Sequence, residues 1–220
     1  MMNMRSMVTV SKMDHNSIPE VSKLFTEFDS TEIPNLIGLC RRQLFVHDDV
    51  QIHLYDFAEQ ADQSALAKVK GDPRMARLSM DLKPFVAPYD PETWNSPADS
   101  AAFCFYDWQD EPIENAGRTD TTVTVTRMDQ ASIPAVTSIF RESDSTESPR
   151  SMGTRRRQLF AYRDLCIHIQ DHDGSDGADI AQKAASDIWF GKVVRDLPEL
   201  ADQKPTTDGH ASRFYGWVAP

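Results

Sequence analysis

An arginine and a histidine stand at two matching places in the chain, Arg42 with His53 and Arg157 with His168, and no other residues suit chemistry better. A neutral imidazole with a pKa of about 6.5 can take and return a proton near neutral pH. A guanidinium stays charged and offers five donors, which suits it to an oxygen that turns anionic during a reaction. Leu39 to Val46 and Val50 to Phe57 read as two strands around a turn at His47 and Asp48. With the turn centred there, Arg42 stands directly opposite His53 and Leu44 opposite Gln51, on the face that also carries Tyr55. The same count sets Arg157 opposite His168. Val50, Ile52, Leu54 and Phe45 fall on the other face, an apolar set that needs a core. A solvated surface pair is the plainer account of an arginine beside a histidine. Retention of both where Tyr55 has become Gln170 favours a shared task.

Asp29 and Asp144 lie in identical DSTE runs. Asp, Ser and Thr side chains end helices and build turns, which accounts for the run by itself. A carboxylate is also the usual third member of an acid and base set, where it orients a histidine or holds its proton. Glu32 and Glu147 are the alternatives in the same runs. The six histidines include no HxH or HExxH spacing, and there is no GxGxxG, P-loop or GxSxG, so metal, nucleotide and serine-hydrolase readings find no support. Cys40, Cys104 and Cys166 form neither a disulfide framework nor a zinc cage and read as buried or incidental thiols. Phe103, Phe105, Tyr106 and Trp108 read first as core, and as walls for a flat ligand only second.

The elements that position these residues come in two sets. VTVSKMDHNSIPEVSKLFTEFDSTEIP at Val8 lies over VTVTRMDQASIPAVTSIFRESDSTESP at Val123, and more than half of the positions from Val8 to Asp56 recur. A unit of that length is a small domain rather than a solenoid repeat. The expected layout is a first repeat at 1–109, a linker at 110–120 and a second, shortened repeat at 121–220. Met7 to Lys12 alternates as a strand, and Thr122 to Arg127 matches it. A helix follows, with Ser17 and Glu20 as a capping box and Val21, Leu24, Phe25 and Phe28 on one face. After the hairpin, a second helical region spans about Gln63 to Leu82, broken at Asp72 and Pro73, and Ala102 to Trp108 closes the copy as a strand. The order βαββαβ is α+β and ferredoxin-like. Two such sheets are expected to pack face to face as an intramolecular pseudo-dimer, the chain being then a monomer or a homodimer.

Length and composition agree with this. The 220 residues are 40% hydrophobic and 26% charged, with a formal net charge of −11, which disfavours nucleic acid and anionic membrane surfaces as partners. The first residues lack the apolar run of a signal peptide, no stretch approaches a membrane span, and the thiol count suits a reducing compartment, so a cytoplasmic location is expected.

The FxExDSTExP pattern, then GxxRRxLF, the Ile-His-Leu strand and PYDPETWxSP before FYxW resemble the tetracenomycin-type polyketide synthesis cyclases, over nearly all of the first copy and half of the second. The resemblance implies a dimeric α+β barrel kind of fold. It also implies an intramolecular aldol-type ring closure with dehydration on a poly-β-ketone or partly cyclised intermediate, without metal or organic cofactor. The implied partners are a small-molecule polyketide and a polyketide synthase complex or acyl carrier protein. In that reading His53 is the base, Arg42 holds the enolate oxygen and Asp29 positions the histidine, with His168, Arg157 and Asp144 doing the same in the second copy. Where some members carry a histidine before the motif aspartate, this chain has Phe28 and Ser143, and the second copy reads LADQKPTTDGH in place of PYDPETW, which favours one working site. A cofactor-independent monooxygenase and a non-catalytic polyketide-binding module are the alternatives.

Overall fold

The structure, a computed structural model, describes residues 4–58, 69, 71–110, 119–173 and 209–220. In the first copy strand β1 (Met4–Met13) leads through a short 3-10 turn into helix α1 (Ile18–Asp29). The turn, not the helix, carries the cap: Asp14 accepts from the Asn16 amide, while Ser17 makes no side-chain cap bond and Pro19 occupies the helix start. The expected Ser17 and Glu20 capping box is therefore not formed; a one-way cap at Asp14, three residues upstream, stands in its place, and Asp129 caps the second copy in the same way through Ala131. Val21, Phe25 and Phe28 are buried on one side of α1, as their spacing requires.

A single helical turn, Ile33–Leu36, ends at Gly38, whose φ of 70° is one that glycine adopts without strain. Strands β2 (Leu39–His47) and β3 (Val50–Ala58) follow as a hairpin. Its loop is Asp48–Asp49, with Asp48 at φ 51°, a conformation a short polar side chain tolerates. The turn thus lies one residue later than the sequence pattern suggests, and each cross-strand partner moves by two: Arg42 pairs with Tyr55 and His53 with Leu44. A shift of two preserves the face, so Arg42, Leu44, His53 and Tyr55 still share one side of the sheet. The second copy repeats the correction, with Arg157 opposite Gln170 and His168 opposite Leu159.

Helix α2 (Pro73–Leu82), capped by Asp72, is followed by the short strand β4 (Val86–Pro88), which pairs with β1. The remainder of the helical region expected at 63–70 lies outside the described residues apart from Val69. Strand β5 (Phe103–Gln109), β6 (Thr119–Arg127), helix α3 (Ile133–Asp144), β7 (Thr154–Tyr162), β8 (Leu165–Asp173) and β9 (His210–Val218) complete the described chain. Most of the linker expected at 110–120, and the LADQKPTTDGH segment except its end, fall outside the described residues.

Two compact units result, Met1–Ala102 with Ser212–Pro220, and Phe103–Ala211. In the first the strand order is β4-β1-β3-β2-β9, and in the second β6-β8-β7-β5. The closing strands are exchanged: β5 of the first copy pairs with β7, and β9 of the second copy pairs with β2. The expectation that Ala102 to Trp108 closes its own copy is overturned. Val86–Pro88 supplies the fourth ferredoxin-like strand instead, and the final strand fills the open β2-type edge of the other copy.

Candidate functional site

In the first unit four elements deliver one polar cluster to the helix-covered face of the sheet. Asp29 is the last residue of α1, so ending the helix and entering the site are one position doing two things. β2 brings Arg42, β3 brings His53 and Tyr55, and β9 brings Tyr215. Arg42 Nε donates to Asp29 Oδ2 at 2.9 Å, Arg42 Nη1 lies 2.9 Å from His53 Nε2, and the Tyr215 hydroxyl donates to Asp29 Oδ2 at 2.9 Å. The guanidinium carbon stands 5.0 Å from the Phe25 ring, 5.7 Å from Phe28 and 5.1 Å from Tyr55, so aromatic faces surround a cation already paired with a carboxylate. His53 stacks on Tyr55 with ring centroids 3.7 Å apart. Asp29, Arg42 and His53 are all buried, and Leu78, Leu82 and Phe85 add partly buried apolar side chains to the adjoining core.

This geometry fixes protonation. Arginine only donates, so His53 Nε2 accepts and the ring is neutral with its proton on Nδ1. Burial first, and the Arg42 charge second, hold the imidazole well below its usual range. Burial pushes the Asp29 carboxyl up, and Arg42 and Tyr215 pull it partly back. Asp29 therefore acts on Arg42 rather than on the histidine: the carboxylate holds the guanidinium, and the guanidinium holds the imidazole. Glu32 is engaged elsewhere, in an exposed pair with Arg74 at 2.9 Å.

The second unit has the same plan. Arg157 Nη1 lies 2.6 Å from Asp144 Oδ1, the Tyr106 hydroxyl donates to Asp144 Oδ2 at 2.8 Å, and the guanidinium sits 5.0 Å over Phe140. Ser143 and Gln170 replace the aromatic walls Phe28 and Tyr55. His168 Nε2 is buried with no hydrogen-bond partner among the described residues, and burial, Arg157, His172 and His210 hold its ring well below the usual range. Glu147 pairs with Arg150 outside this cluster.

Both histidines give stability a definite slope with pH. Their folded pKa values lie below the unfolded value of about 6.5, so the unfolded chain binds more protons on acidification. Stability is retained above that pH and falls as pH drops through it. Proton NMR of the imidazole rings should show both unprotonated down to well below pH 6.5, alongside a falling denaturation midpoint.

The structure places Asp29, Arg42 and His53 together in the first unit and Asp144 and Arg157 together in the second, with His168 against the same Phe140 ring as Arg157; it leaves Glu32 and Glu147 outside and adds Tyr215 and Tyr106. The available signal was the FYxW pattern, kept in both copies and read as core. A second omission lies on the opposite sheet face. Arg41 reaches Asp56 at 2.7 Å through both Nε and Nη2, and Arg156 reaches Asp171 at the same distance, all four buried. Burial raises the Cys104 thiol to about 11 and Cys166 to about 12, so both are thiols rather than nucleophilic thiolates at neutral pH. Among the described residues no group of His, Cys, Asp and Glu is arranged as a metal site, and no helix is long and apolar enough to cross a membrane.

Fold and cluster together define a duplicated, ferredoxin-like α+β protein that holds a buried acid, guanidinium and imidazole set in each unit. Residues 5–109 and again 120–218 match the polyketide synthesis cyclases, and the chain belongs to that family as a two-copy member. Over 110 residues it is 36% identical to an uncharacterized Streptomyces coelicolor protein, covering 50% of this chain and 98% of that one. Tetracenomycin F2 cyclase of Streptomyces glaucescens is 36% identical over 101 residues, which are 44% of this chain and 92% of the cyclase. A solved anthrone oxidase-like protein superposes with a TM-score of 0.51 over 97% of this chain and 92% of its own, at 12% identity, a likeness of fold alone.

Proposed function

We propose that the first unit closes a ring in a poly-β-ketone or partly cyclised aromatic polyketide by an intramolecular aldol reaction followed by loss of water. The observation that carries this is the 2.9 Å contact between Arg42 Nη1 and His53 Nε2, inside a set anchored by Asp29. A carbon between two carbonyls is already acidic, so a neutral imidazole suffices as base. As the carbon–hydrogen bond breaks, its electron pair moves onto the neighbouring carbonyl oxygen. Arg42 Nη1 turns from the imidazole to that oxygen, which stabilises the enolate and frees the Nε2 lone pair for the proton. The negative oxygen offsets the guanidinium charge that holds His53 down, so the base strengthens when it is needed. The enolate carbon attacks a remote carbonyl carbon, and the imidazolium returns its proton to the alkoxide so formed. Expulsion of that hydroxyl with a second α-proton leaves the ring and one water.

His53, Arg42 and Asp29 are thus base, oxyanion holder and anchor, and His168, Arg157 and Asp144 are their counterparts. The residues ask for no metal or organic cofactor in this chemistry, which is of the lyase kind. The family supports a small polyketide as substrate; in this reading a synthase complex or an acyl carrier protein presents it. Incubating the purified chain with a synthetic poly-β-ketone thioester and weighing the product tests the reading. Loss of water is expected. A gain of oxygen would transfer the assignment to a cofactor-independent monooxygenase, and binding with no change of mass to a carrier module.

A further inference from the structure

We propose that Tyr215 is a positioning residue of the first site and Tyr106 of the second, each supplied by the other copy's final strand, so that neither copy contains a complete site. The inference rests on the cyclase reading of the cluster. Its geometry is duplicated: 2.9 Å from Tyr215 to Asp29 and 2.8 Å from Tyr106 to Asp144, on the same carboxylate oxygen in both units. The strand register places both phenols deliberately. Tyr215 lies opposite Leu44, and Tyr106 opposite Leu159, the residues that also face His53 and His168. One residue before each tyrosine, Phe214 and Phe105, the ladder slips by a bulge. A bulge turns the following side chain to the other face, and here that is the face of the arginine and histidine.

The phenol has a specific effect. A carboxylate bound only by a guanidinium can rotate about its last torsion, and the arginine can follow it. With the Tyr215 hydroxyl on Oδ2, the carboxylate plane is held and Arg42 keeps Nη1 directed at His53. Burial and Asp29 raise the Tyr215 phenol above its usual range, so it remains a donor across the working pH range. Tyr215 does not reach the reacting atoms and acts through Asp29 and Arg42. The dependence also accounts for what the second copy has kept. It has exchanged Phe28 for Ser143, Tyr55 for Gln170 and PYDPETW for an unrelated run, yet it retains FYxW. That strand belongs to the first copy's site, so it is held even where the second copy's own pocket has changed.

The chain carrying Tyr215→Phe, Tyr106→Phe or both, assayed for ring closure on the poly-β-ketone thioester beside a chain carrying Arg42→Gln and Arg157→Gln together, tests this. The double variant should lose about tenfold or more in kcat with KM little changed, as for a lost hydrogen bond to a charged group. Among the described residues, the groups acting on Asp29 are Arg42 from β2 and Tyr215 from β9, with Tyr55 from β3 close enough to feel its charge. Losing the phenol removes one interaction that lowers the Asp29 carboxyl, so the acid limb of kcat should move to higher pH. Carbon-13 NMR of the Asp29 carboxyl in Tyr215→Phe should show the same upward shift without any substrate. A wild-type kcat in the double variant while the Arg42→Gln, Arg157→Gln chain is dead, or an unmoved Asp29 titration, overturns the positioning role and leaves the cyclase reading intact. Wild-type rates in both the Arg42→Gln, Arg157→Gln chain and the tyrosine variants overturn the cyclase reading and this inference with it.

Discussion

Arg42→Gln, in a chain whose second site is removed by Arg157→Gln, should reduce ring closure by about 100-fold to 1000-fold, the range expected when a donor to a developing oxyanion is removed. Glutamine retains two donors on a single nitrogen and much of the volume, but it carries no charge and lacks the guanidinium fork that spans Asp29 and His53 at once. Arg42→Lys should fall nearly as far, because an ammonium is a point charge without the fork that bonds both partners. Arg42→Ala is the poorer test, since it leaves Asp29 buried without its partner and destabilises the chain as well. In Arg42→Gln the imidazole should titrate higher than in the wild type, because the guanidinium is one of the two causes that depress it. It should stay below about 6.5, because burial is the larger cause and remains. Wild-type turnover of the poly-β-ketone thioester by Arg42→Gln in a chain that also carries Arg157→Gln would remove the oxyanion role altogether.

The face on which this arginine acts was legible in the sequence, and its neighbour was not. Side chains alternate with a period of two, so a misplaced hairpin turn that shifts partners by two leaves Arg42, His53 and Tyr55 on one side while pairing Arg42 with the wrong residue. Asp29 was legible as a helix end. That its carboxylate holds Arg42 and not His53 depends on how α1 crosses the sheet, which no local pattern records. The exchanged strands lay further out of reach. Ala102 to Trp108 alternates as a strand would at any sheet edge, and the duplicated chain offers two equivalent β2-type edges. Tyr106 consequently read as core of its own copy, although its hydroxyl belongs to Asp144 in the other. The RR pair in GxxRRxLF concealed a division of labour: Cys40 is the extra residue of a bulge, after which Arg41 and Arg42 point to opposite faces.

That division predicts that the first arginine of the pair governs stability while the second governs chemistry. Arg41 is 1% exposed and Asp56 is fully buried, and Ser6 Oγ donates to the second carboxylate oxygen at 2.5 Å. A buried ion pair is a weak source of net stability, but removing one member strands the other in a medium that cannot solvate it, at a cost of about 3 to 5 kcal/mol. Asp56→Ala should therefore lower the unfolding free energy by that amount, read from denaturant titration, and Asp171→Ala should act alike in the second unit, where Thr121 takes the place of Ser6. Replacing Arg41 by Met and Asp56 by Leu together should recover most of the loss, because no charge is then left unpaired. Since the pair lies on the face away from His53, the acid limb of kcat measured on the folded fraction should not move. A single Asp56→Ala chain as stable as the wild type would mean that the Arg41 guanidinium is solvated after all.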